Sequence, residues 1–117
     1  MDRWAALSMV ESGDNDYAIG SAGEISRFQI RRTLWPGGNA QNPQLALAVA
    51  QDLMRQRLEK FEKNSKRPAT DFEFYVLWNA PAKINRPSRI VIERARRYAN
   101  LVQMKEIQVA SSTKTAS

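Results

Sequence analysis

Residues 10–30 read VESGDNDYAIGSAGEISRFQI, and the fold turns on how this stretch divides. Upstream, Asp2 is placed to cap a helix running to about Glu11, because its short carboxylate can accept from the first unpaired backbone N–H groups. At 100° per residue Trp4, Leu7 and Glu11 share one side of that helix, with Ala6 and Val10 beside them, so a carboxylate stands on an apolar stripe. Residues 13–24 then read as a loop or a small hairpin, since Gly, Asn, Asp and Ser supply turn conformations. Three of the five glycines, Gly13, Gly20 and Gly23, lie there. Residues 25–35 are ambiguous between short strand and short helix, and Pro36, Gly37 and Gly38 break the chain.

Beyond the break the pattern is helical. Asn42 followed by Pro43 opens a long helix to about Lys63, with the asparagine as cap and proline at the first helical position. Ala46, Leu47, Ala50, Leu53, Met54, Leu58 and Phe61 form its buried stripe. Thr70 and Glu73 have capping-box spacing, starting a helix with Phe72, Tyr75, Val76 and Asn79 on one face. Ser88 caps a last helix to about Ile107, with Val91, Ala95, Tyr98, Leu101 and Val102 inward. The reading is therefore mainly α: one domain over 1–109, and a small polar tail at 110–117 expected to be disordered.

Composition narrows the chemistry. The 117 residues include no cysteine and no histidine, which removes thiolate nucleophiles, histidine triads and the usual zinc sites. Acid–base chemistry near neutral pH then falls to a carboxylate of raised pKa. Glu11 fits that requirement, because an apolar setting disfavours the charged form and the C-terminal end of a helix adds partial negative charge. The glycines after it permit close approach of backbone to a ligand, and Gln29 offers an amide that both donates and accepts.

Charge adds a second clue. The net charge is +6, but residues 1–54 carry four basic and six acidic side chains, whereas residues 55–117 carry fourteen and six. Such a balance favours anionic partners. One class is a non-catalytic, polyanion-binding helical module using Lys66, Arg67, Arg86, Arg89, Arg94, Arg96 and Arg97. Those arginines lack interleaved aromatics, so no nucleic-acid partner is expected. With no apolar run of 18 residues, no membrane span is expected either.

Glu11-Ser12 after an apolar helix, the Ala18–Gly23 segment, Gly23-Glu-Ile-Ser-Arg-Phe-Gln29, and the later Trp78-Asn79-Ala80-Pro81 occur in an order that resembles the soluble lytic transglycosylases and goose-type lysozymes. The likeness covers about Trp4 to Val102. It implies a lysozyme-like helical domain with a glycine-rich loop or small β-hairpin after the first helix. It also implies Glu11 as the single catalytic acid, with Ser12, Gln29, Trp78, Asn79 and Tyr98 in the substrate cleft and Tyr98 facing the catalytic carboxyl. The implied reaction is cleavage of the β-1,4 bond between N-acetylmuramic acid and N-acetylglucosamine in peptidoglycan, with closure of a 1,6-anhydro ring. Hydrolysis, as in a lysozyme or a chitinase, is the alternative, using a water held by Asp14, Asp16 or Glu24; loss of activity is a third outcome. No metal or cofactor is needed, and a monomer in the periplasm, at the cell wall or outside the cell is expected. The chain departs from the family pattern at Ser26, where a second glycine is usual, at Arg27-Phe28 in place of Leu-Met, and at Trp78 in place of tyrosine.

Overall fold

The computed structural model describes residues 1–116, with side chains as far as Met104. Among the described residues four α-helices carry the fold: α1 (Arg3–Ser12), α2 (Pro43–Ser65), α3 (Asp71–Asn79) and α4 (Arg89–Ala116). The mainly helical class follows. None of them is long and apolar enough to cross a membrane.

Each start is set by the residue the sequence offers for it. The Asp2 carboxylate accepts from the Ala5 N–H at 2.8 Å, Asn42 from Leu45 at 3.0 Å, and Ser88 Oγ from Val91 at 3.3 Å. Thr70 and Glu73 complete a reciprocal capping box at the start of α3. Gly13, at φ 64, closes α1 by donating its N–H to the Met9 carbonyl. That left-handed cap fixes Glu11 in the last turn. At the other end of the chain α4 runs on to Ala116, past the end near Ile107 expected from the sequence. The chain has no glycine or proline after Pro87, so no helix breaker intervenes.

Helix α3 is the central element. Its residues Phe74 to Trp78 are all buried, as in a helix covered on every side. Tyr98 of α4 stacks on Phe74 at 5.7 Å, and Trp4 of α1 meets Phe74 edge-on at 5.4 Å. Ala46, Val49, Ala50 and Met54 of α2 join the same core. Arg3 ties α1 to the start of α3, donating to Asp71 at 2.7 Å and to the Ala69 carbonyl at 2.9 Å.

Between α1 and α2 the ambiguous segment forms a short 3-10 helix at Arg32–Leu34 and isolated bridges in place of an extended strand. Isolated antiparallel bridges join Ile19 to Ile25 and Ile25 to Ile30. Ile25 and Ile30 exchange backbone hydrogen bonds of 2.9 and 2.8 Å around a tight turn. Ser26 and Gln29 within that turn have φ of 72 and 55, the left-handed region that glycine favours. Ser26 holds this conformation although it is not glycine, with its Oγ accepting from the Phe28 N–H at 3.2 Å. Phe28 and Ile30 are drawn into the core, and Phe28 meets Trp4 and Trp78 edge-on.

Candidate active site

Glu11 leaves the last turn of α1 and meets α3. Its Oε1 accepts a 2.7 Å hydrogen bond from the Tyr75 hydroxyl, which in turn accepts from Asn79 Nδ2 at 3.4 Å. Tyr75 and Asn79 lie one helical turn apart, so a single face of α3 supplies both links. Burial raises the pKa of Glu11 above the ordinary carboxylate value; the Tyr75 hydrogen bond and the charge of Arg94 pull it down, and Glu24 pushes it up. The net effect is a pKa above the ordinary carboxylate value. Burial and the neighbouring Glu11 push the Tyr75 phenol well above its usual value, so it remains a donor throughout the working pH range.

Glu11 opens onto a cleft of about 590 Å³. Glu24 and Gln29 from the loop stand with Glu11, while α3 contributes Trp78 and Asn79. Farther along, Arg57 of α2, Lys83 from the 3-10 turn Pro81–Lys83, and Arg94 of α4 complete the walls. Gly20 explains the density of polar groups at the loop side. A Cβ there would lie 2.6 Å from Gln29 Oε1 and 2.8 Å from Glu24 Oε2, closer than real contacts allow. Only a glycine lets those side chains cross the backbone at this height. Among the described residues no three acidic groups gather as a metal-binding cluster.

No family model, curated protein or solved structure matches the chain.

Of the residues singled out from the sequence, Glu11, Glu24, Gln29, Trp78 and Asn79 come together around the cleft. Their roles are not all as expected. Gln29 donates its amide N–H groups to the Ala18 and Ser26 carbonyls at 3.1 and 3.0 Å, so it pins the loop and leaves Oε1 as its free polar atom. Trp78 is only 9 % exposed, which makes it a wall rather than an open stacking face.

Four residues lie elsewhere. Tyr98 is fully buried and its hydroxyl donates to the Arg3 carbonyl at 3.2 Å, so it does not face Glu11; Tyr75 does. Ser12 turns its hydroxyl to the loop, donating to the Arg27 carbonyl at 2.7 Å and accepting from the Asn15 N–H at 3.0 Å. Asp16 is held by Arg27 at 2.7 and 3.1 Å. Asp14 is exposed in the αL turn after Gly13. Neither aspartate lines the cleft, which leaves Glu24 as the one carboxylate of the three beside Glu11.

Sequence reading missed Tyr75, which sits among apolar neighbours and looks like core. The signal available was the Tyr75–Asn79 spacing, two polar-tipped side chains one turn apart on an otherwise apolar face.

Proposed function

We propose that this chain is a peptidoglycan-cleaving glycosidase that uses Glu11 as a single acid–base. The observation that carries this reading is a carboxyl group of raised pKa, hydrogen-bonded by Tyr75, lining a cleft of about 590 Å³. In the proposed reaction Glu11 protonates the glycosidic oxygen between N-acetylmuramic acid and N-acetylglucosamine. The substrate's acetamido oxygen supports the positive charge developing at the anomeric carbon, the substrate-assisted route that needs no second enzyme carboxylate. Glu11, now ionised, takes the proton of the 6-hydroxyl while that oxygen bonds to the anomeric carbon. The products are a shortened glycan and a 1,6-anhydro end, as in lytic transglycosylases of lysozyme-like fold. Such a substrate would be met at the cell wall, in the periplasm or outside the cell, and a monomer would suffice for the reaction because one chain supplies all the cleft residues described.

Glu24 gives a specific reason to keep hydrolysis as the second reading. It is a cleft carboxylate beside the acid, and it is fixed by the Ala22 N–H at 2.8 Å, so it can hold an attacking water. Mass spectrometry of products from purified peptidoglycan separates the two, because an anhydro end is one water lighter than a hydrolysed one. Cleavage by the wild type and none by Glu11→Gln is expected; full activity of Glu11→Gln would remove the assignment.

A further inference from the structure

Three arginines are half-buried: Arg3, Arg27 and Arg57. Arg3 and Arg27 each meet a carboxylate at 2.7 Å, Asp71 and Asp16 respectively. Arg57 forms no ion pair among the described residues. Its Nη1 donates to the carbonyls of Leu77 and Trp78 at 3.0 and 2.9 Å, which fixes the guanidinium at the end of α3, 6.0 Å from the Trp78 ring centroid. A guanidinium partly removed from water is normally matched by an anion. Here burial and the like charge of Arg31 both work against it, and no carboxylate offsets them. The cleft charges thus divide. Glu11 feels Arg94 and Glu24, while Arg57 feels Arg31, with Lys83 on the same cleft.

We propose that Arg57, with Arg31 and Lys83, is a carboxylate-recognition site built into the cleft wall, by which the protein selects acidic amino-sugar polymers over neutral ones of the same linkage. Arg57 is pre-positioned by the two carbonyls and presents its remaining N–H donors in the planar fork suited to a carboxylate. Arg31 and Lys83 add charge from the loop and from the 3-10 turn. The carboxylate has two sources on a peptidoglycan strand, the lactyl ether of muramic acid and the stem peptide. Both present the same group.

The inference rests on the glycosidase reading, so the test uses the full chain carrying Glu11→Gln and measures binding by calorimetry. Three probes of equal length serve: chitotetraose; a peptide-free tetrasaccharide of alternating N-acetylglucosamine and N-acetylmuramic acid; and the same tetrasaccharide with stem peptides joined through lactyl amides. An acidic probe is expected to bind about tenfold tighter than chitotetraose, a gap worth about 1.4 kcal/mol. A gap with the peptide-free probe assigns the lactyl carboxylate, and a gap only with the peptide-bearing probe assigns the stem. Arg31→Gln, at an exposed position, and Arg57→Lys, which keeps the charge but not the fork, should each shrink the gap between the acidic probe and chitotetraose. Equal binding of all three probes, or a gap that survives both variants, overturns the site and leaves the glycosidase reading standing. Failure of all three to bind overturns both.

Discussion

At the residue scale the proposed function rests on the protonation of Glu11. Because the acid must be protonated to act, kcat/KM should fall as pH rises through its raised pKa. The Tyr75 hydrogen bond favours the ionised form, so Tyr75→Phe should raise that pKa further and move the falling limb of the pH–rate profile to more alkaline pH. Arg94→Gln should act in the same direction, and Glu24→Gln, which removes a like charge, in the opposite one. Profiles measured for the three variants check all the signs, and a limb that stays fixed in Tyr75→Phe would show that the hydrogen bond does not tune the acid. The same shift has a stability side. A carboxyl whose pKa is higher folded than unfolded ionises more readily in the unfolded chain, so its contribution to stability is lost as pH rises from the ordinary carboxylate value through the raised one. Glu11→Gln should therefore be more stable than the wild type at pH 7, by about 1 kcal/mol, as catalytic-site replacements often are. Thermal melts at pH 4 and pH 7 check it, with the advantage confined to the higher pH.

At the element scale, α3 and the loop before it show what the sequence reveals and what it hides. The caps were legible because each is a local bargain between neighbouring residues: Asp2, Asn42, Thr70 with Glu73, and Ser88 all cap where spacing predicts. Glu73 is also gripped by Arg67 at 2.7 and 2.8 Å, and that grip, chiefly, holds its carboxyl down at about 2. A depressed pKa contributes stability that is full above the ordinary carboxylate value and is lost as pH falls through about 2. Thr70→Ala should cost about 1 kcal/mol in urea unfolding and leave the kcat of the proposed reaction unchanged in the folded protein, because Thr70 does not line the cleft. The loop was less legible. Its path depends on the tight Ile25–Ile30 turn, whose left-handed positions are taken by Ser26 and Gln29 where glycine would mark them, and on Phe28 reaching Trp4 and Trp78, contacts between distant segments that no local pattern records. Tyr98 shows the same limit: periodicity placed it inward, and only the packing of α4 on α3 decides that its hydroxyl meets Arg3 rather than Glu11. Gly20→Ala tests the loop directly. The atoms a Cβ would meet are the far ends of Gln29 and Glu24, which can give way, so the urea midpoint should barely move. The displaced groups line the cleft, however, and kcat/KM should fall about tenfold, since small misplacements weaken positioning steeply.

At the scale of the whole molecule, charge and site act together. Residues 1–54 supply Glu11 and Glu24 and are slightly acidic, whereas residues 55–117 supply Arg57, Lys83 and Arg94 from a strongly basic half. The cleft lies where the two meet, so on the proposed reading an acidic glycan would be drawn to the basic wall and presented to Glu11 across it. Attraction of this kind speeds encounter and is screened by salt, with a Debye length of about 10 Å at 0.1 M. The chemistry at Glu11 is half-buried and responds far less. For an acidic glycan, kcat/KM should therefore fall about tenfold between 20 mM and 300 mM salt, on the order expected for steered association, while kcat at saturation changes little. Chitotetraose, which carries no charge, should show a flat kcat/KM over the same range if it is cleaved at all. The two substrates measured side by side separate steering from a general effect of salt on the fold, because unfolding would lower both together. A flat response for the acidic glycan would mean that the net charge of +6 is only a solvated surface, and that the basic wall plays no part in bringing the substrate to Glu11.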